Sequence, residues 1–141
     1  MSARVHRRPV AAFRPFHAVL LGGAVALFLG ALLSDIAYAR TFEIQWNNFA
    51  SWLIAGGLVV SGVALACAAF GLLPSRRSRR TILHAAVLLA AWIAGFLNAL
   101  THARDAWASM PSGLVLSAIT LVLAGLATWL GCSTARTGDT P

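Results

Sequence analysis

Residues 84–102 read HAAVLLAAWIAGFLNALTH, an apolar stretch interrupted only by Asn98 and Thr101 and closed by a histidine at each end. At about 1.5 Å rise per residue it reaches about 27 Å, close to the about 30 Å of a hydrocarbon layer. His84 and His102 are eighteen positions apart, about five full turns at about 100° per residue, so both rings fall on one face. The stretch therefore predicts a membrane-spanning helix with a titratable ring near each surface.

Three further runs resemble it. The spans read as 16–39, 49–73, 82–101 and 114–132, each near the about 20 residues that cross a bilayer. The chain is 59% hydrophobic and 11% charged, against about 25% charged residues in soluble domains, so its solvent is lipid. Alternating barrel strands are excluded because the runs are apolar on every side. The expected fold is all-α: an integral membrane four-helix bundle, up and down.

The net charge of +7 comes from arginine alone, with no lysine. Arg4, Arg7, Arg8 and Arg14 precede the first run, Arg76, Arg77, Arg79 and Arg80 fill the second loop, and Arg136 follows the last run. Only Arg40 and Arg104 occupy the other two loops, beside Asp35, Glu43 and Asp105. Nine against two is a strong positive-inside bias, which predicts cytoplasmic termini and a cytoplasmic second loop. The clusters suit anionic lipid headgroups; loops this short give no folded basic surface for nucleic acid.

Residues 1–15 read as a basic, flexible lead ending at Pro15, where a helix start is favoured, and 133–141 as a loose tail. A competing reading takes the lead, the first run and AYA before Arg40 as a cleaved secretory signal. The first run is too long for that, and Asp35 lies just ahead of the cut. Trp46, Trp52 and Trp107 mark an outer aromatic belt and Trp129 the inner face, while mid-span Trp92 reads as packing. Gly22, Gly23, Gly30, Gly56, Gly57, Ser61, Gly62 and Ala66 offer the close backbone approach that drives association in lipid. One of these faces also suits a homodimer.

The first run repeats the spacing of the quoted stretch. HAVLLGGAVALFLGALLSD, from His17 to Asp35, aligns with it without a gap at an offset of sixty-seven. Helices one and three run the same way through the bilayer. His17 is thus expected level with His84 at the cytoplasmic side, and Asp35 level with His102 outside. A two-plus-two internal repeat would give this pattern.

Ionisable groups in spans are costly, which makes a functional role worth weighing at each. His17 and His84 are candidate ligands for a b-type haem or a metal. Asp35 and His102, with Asn98 one turn inward on the same face, form a candidate proton-handling group. Two ligands are too few for a structural zinc site. The competing structural reading, in which each residue snorkels or bonds a neighbouring helix end, leads. His6, in the lead, reads as structurally neutral.

Cys67 and Cys132 lie near the inner side without a C-x-x-C pair or a C-x-x-C-H motif, so thioredoxin-like chemistry and c-type haem attachment are excluded. No P-loop, dinucleotide fingerprint, H-E-x-x-H or G-x-S-x-G occurs either. An enzyme built on soluble-style acid–base chemistry is not indicated.

FHAVLLGGAVALFLGALLSDIAYA, NNFASWLIAGGLVVSGVALA, HAAVLLAAWIAGFLNALTHARDAW and MPSGLVLSAITLVLAGLATWLG together resemble the bacterial membrane family catalogued as domain of unknown function 2231. The resemblance runs from about Phe13 to Gly131. It implies a four-helix, multi-pass protein of the bacterial inner membrane, whose first helix opens with a histidine and closes with an aspartate, here His17 and Asp35. Many members follow that histidine with proline, where this chain has Ala18. The resemblance implies topology and no activity. The functional expectation is a structural or partner component of a membrane assembly; the alternative is a redox or proton-handling component built on His17/His84 and Asp35/His102.

Overall fold

A computed structural model describes residues 10–70, 72 and 78–136, with side chains over 15–70, 72 and 78–133. Five helices follow in order: α1 Val10–Thr41, α2 Ile44–Phe70, α3 Arg79–His102, the short α4 Ala106–Ser109, and α5 Ser112–Arg136. There is no strand among the described residues. In hydrocarbon, water cannot satisfy a backbone amide, and a helix satisfies all of them within one segment. Four of the helices are long and apolar enough to cross a membrane.

α1 packs on α2 and α5, and α3 packs on the same two, so α1 and α3 stand across one diagonal of a square bundle. Positions buried along each helix are separated by three and four residues in alternation. They are Leu21, Ala24, Phe28, Ala31, Asp35 and Tyr38 on α1, with Ser34 buried as well beside Asp35, and Asn47, Ala50, Ile54, Gly57, Ser61, Ala64 and Ala68 on α2. On α3 they run Leu88, Ala91, Gly95, Asn98, His102, and on α5 Gly113, Ser117, Thr120, Ala124, Ala127. This heptad spacing is that of a gently supercoiled bundle with knobs in holes. Adding sixty-seven to the inward positions of α1 from Leu21 to Asp35 returns those of α3 from Leu88 to His102.

Large apolar residues point outward, as lipid solvation allows: Val19, Leu33, Val59 and Trp129 are exposed, and Trp52 is 75% exposed. The interior is small or polar, which lets the helices approach. Leu21, Ile54, Leu88, Tyr38 and Phe28 are the large exceptions, and Phe28, 1% exposed, sits at mid-span. Its ring occupies the room left by two glycines. A Cβ on Gly57 would lie 2.5 Å from Phe28 Cε1, and one on Gly95 would lie 3.4 Å from Cζ.

Several boundaries differ from the sequence expectation. α1 begins at Val10, upstream of Pro15, which lies inside the helix. Proline leaves the turn before it only one hydrogen bond short, and Ala11 and Ala12 are strong helix formers. The expected outer loop around Trp46 shrinks to Phe42 and Glu43, because α2 starts at Ile44. Phe42 takes φ 56°, the left-handed conformation that ends helices, and its amide donates to Tyr38 O at 2.8 Å. α2 ends at Phe70, short of the expected 73. α3 starts earlier than 82, where the Ser78 hydroxyl accepts from the Thr81 amide at 3.1 Å. α5 runs to Arg136, four residues past the expected 132. The lead residues 1–9 with His6, the arginines Arg76 and Arg77, and the tail from 137 lie outside the described residues.

Candidate functional site

Asp35 stands on α1 almost two turns before the helix ends, 0% exposed. A carboxyl group so placed must find every partner inside the protein. His102, the last residue of α3, brings Nε2 to 2.8 Å from Oδ1 of Asp35 across the bundle diagonal. Ser117 of α5 donates its hydroxyl to Oδ2 at 2.5 Å. Asn98 in turn donates from Nδ2 to the Ser117 oxygen at 2.8 Å. His102 Nδ1 lies 3.0 Å from the Asn98 carbonyl, one turn back on its own helix. The four residues thus close a ring of hydrogen bonds, through the Asn98 main-chain carbonyl, joining α1, α3 and α5.

The donors and acceptors in this ring can be assigned. A carbonyl only accepts, so His102 Nδ1 carries a hydrogen. Ser117 has one hydrogen and gives it to Asp35; its oxygen therefore accepts from Asn98, which fixes the amide with Oδ1 turned away. One proton remains, shared between His102 Nε2 and Asp35 Oδ1. It rests on the imidazole as an ion pair or on the carboxyl as a neutral pair, with zero net charge in either form. Asn98 Oδ1 and Thr120 Oγ1, the latter on α5 level with Gly95, are buried without a hydrogen-bond partner among the described residues.

This end of the bundle is closed by the connection from α3 to α5. α4 packs on both helices, and Ser109 donates to Asn47 Oδ1 of α2 at 3.0 Å. Gly113 leaves room for the histidine, since a Cβ there would stand 2.8 Å from His102 Cε1. α4 and the turn after α1 carry aromatic rings suited to an interface, with Phe42 stacked on Trp107 at 5.9 Å.

At the other end His17 and His84 also meet across the diagonal. Their Nε2 atoms are 3.1 Å apart, with the rings edge to face at 81°. His84 Nδ1 lies 2.9 Å from the Ala127 carbonyl of α5. Gly131 lets α5 come close, since a Cβ there would lie 3.0 Å from both His84 Cε1 and Leu21 Cδ1. The two rings touch directly, so an iron or other metal held by both Nε2 atoms would require them to part from this arrangement. Among the described residues no three His, Cys, Asp or Glu side chains converge as a metal site.

Every candidate residue of the sequence reading thus falls at one of two places: His17 with His84, and Asp35 with His102 and Asn98. Sequence reasoning missed Ser117, Thr120, the Ala127 carbonyl and the Asn47–Ser109 closure. Ser117 and Thr120 do carry a signal, as polar residues three apart inside the apolar run GLVLSAITLVLAG.

A family model described as "Predicted membrane protein (DUF2231)" matches residues 13–138. No curated protein and no solved structure matches the chain.

Proposed function

Because the chain belongs to the DUF2231 family of predicted membrane proteins, we propose that it is a proton-handling membrane protein whose working group is the Asp35–His102 pair. One observation carries this reading: a carboxyl group with no exposure inside a spanning helix, locked in a closed hydrogen-bond ring with His102, Asn98 and Ser117. Helix association alone does not call for such a group. An interhelical hydrogen bond in a membrane contributes about 0.6 kcal/mol on average, which serine and asparagine supply without a titratable partner. A carboxyl–imidazole pair adds the ability to take up and release a proton.

In this reading the protein sits in the bacterial inner membrane with both termini in the cytoplasm. The pair then lies near the external surface, beneath α4, and exchanges protons through the 103–111 connection. Arg79 and Arg80 stand at the opposite surface, where anionic headgroups gather.

The test is infrared difference spectroscopy of the purified protein in lipid nanodiscs, stepped through pH in water and in deuterium oxide. The expected result is a carboxyl C=O band, sensitive to deuterium, that appears and disappears with pH and is lost in Asp35→Asn. Spectra in which wild type and Asp35→Asn coincide at every pH would remove the proposal.

A second reading, a non-catalytic partner in a membrane assembly, has its own support. Ala18, Gly22 and Ala26 are exposed at four-residue spacing on α1, and nothing within 4 Å faces Gly22. Small residues so spaced let another helix come close. Substitution of Gly22 by Leu is expected to abolish cross-linking to a neighbouring helix if this face is used, and to leave the infrared signature of Asp35 intact.

A further inference from the structure

We infer that His17 and His84 form a second proton-binding site at the opposite membrane surface, one proton per pair, and that Phe28 insulates it from Asp35–His102. The insulating role rests on the proton-handling reading of Asp35 and His102. The second site does not.

The hydrogen positions support the second site. His84 Nδ1 faces a carbonyl and so carries a hydrogen. Two Nε2 atoms at 3.1 Å need one hydrogen between them, since two would collide and none would leave lone pairs opposed. In the neutral pair His17 Nε2–H donates to His84 Nε2. His17 Nδ1 is then the single bare nitrogen, and it is buried without a hydrogen-bond partner among the described residues. The next proton lands there, turning the couple into an imidazole–imidazolium pair whose charge spreads over both rings. A second added proton would face the first across 3.1 Å and is refused.

Among the described residues no carboxylate lies at this level. α3 contributes exposed Arg80, one turn ahead of His84, and α2 contributes half-buried Cys67 beside the packed Ala68. α5 contributes exposed Cys132, next to Gly131, and at this end of α1 the described side chains add no titratable group besides His17.

Between the two sites the interior is mostly apolar, with Ser61 and Thr120 its buried hydroxyls. Going inward from His17 and His84, the levels are Leu21 with Leu88 and Ala127, then Ala24 with Ala91 and Ala124, then Phe28 seated on Gly57 and Gly95. From His17 to Phe28 is eleven residues, about 16 Å along the helix. The polar side chains described in this interval give their hydrogens to carbonyls: Ser61 to Gly57 and Thr128 to Ala124 on their own helices, and Trp92 Nε1–H to Leu58 of α2. None of them offers that hydrogen to a file of water. The molecule thus exchanges protons with each side separately and does not pass them across.

The test has two arms on the full chain. In the first, histidine labelled with nitrogen-15 is followed by magnetic resonance in nanodiscs through a pH series. His17 and His84 are expected to titrate together, with one proton gained by the pair. His84→Ala should shift the His17 signals and spare His102, while Asp35→Asn should shift His102 and spare the pair. Independent titration of the two rings, or stoichiometric retention of added zinc or copper(I) that His17→Ala abolishes, overturns the second site while leaving the His102 result readable. In the second arm, wild-type proteoliposomes under an imposed pH difference are expected to leak protons no faster than protein-free vesicles. Phe28→Ala, and to a smaller degree Phe28→Leu, should leak several-fold faster. Conduction by wild type, or tight vesicles with both variants folded, overturns the insulating role.

Discussion

At the scale of single residues, the least replaceable atoms are those that satisfy Asp35. Ser117 is the only donor to Oδ2 and the only acceptor for Asn98 Nδ2 among the described contacts. Ser117→Ala therefore leaves two buried groups unpaired at once. Each unmade buried hydrogen bond costs about 1–3 kcal/mol, so thermal unfolding in detergent should fall by several degrees, more than for Thr120→Ala, whose hydroxyl has no hydrogen-bond partner to lose. Equal effects of the two changes would show that the ring carries no stability. The histidines and the aspartate were legible in the sequence because an ionisable group stands out in an apolar run. Their partners were not, because serine and threonine inside a span usually bond to their own helix, as Ser34 and Thr101 do here. That His17 and His84 bond each other directly follows from a ring-to-ring distance that spacing alone cannot give.

At the scale of elements, the helices were legible by length and apolarity, but not the faces they turn inward. In water an inward face is the more apolar one; in lipid, α1 and α2 are nearly as apolar all round. The inward face shows instead as small and polar residues at heptad spacing: Ala24, Ala31 and Asp35 on α1, Ala50, Gly57, Ser61 and Ala64 on α2. Helix ends were misjudged where polar residues continue a helix past the apolar run, as Asn47 does in α2 and Ser133 to Arg136 in α5. The meeting of Gly57 with Phe28 makes an element-scale prediction. Gly57→Ala places a methyl group 2.5 Å from the Phe28 ring, and overpacking of this kind costs about 1–3 kcal/mol. The double variant Gly57→Ala, Phe28→Leu should recover part of the lost melting temperature. Additive losses would show that the two side chains do not compete for the same space.

At the scale of the whole molecule, α1 with α2 and α3 with α5 form two hairpins, and the diagonal pairs His17–His84 and Asp35–His102 each take one residue from either hairpin. Residues 1–74 and 75–141, expressed together as separate chains, are therefore expected to co-purify. Asp35→Leu in the first piece should weaken the association; recovery of either piece alone, folded and unchanged by its partner, would contradict the shared interior. Orientation is a second molecular-scale prediction. Reporter fusions after residue 43 should read as external, and those after residues 76 and 141 as cytoplasmic, following the arginine distribution. The offset of sixty-seven, found by aligning two apolar runs, reappears as the vertical matching of α1 and α3, level by level.

The turn at Phe42 and Glu43 also bears on how the chain is made. Two residues between helices of 32 and 27 residues leave no slack for the earlier helix to settle in the bilayer while its successor waits in the ribosome tunnel. The two must leave the insertion machinery side by side, as one antiparallel unit. Glu43 stands at the tip of that unit, so the turn carries a charge across with it.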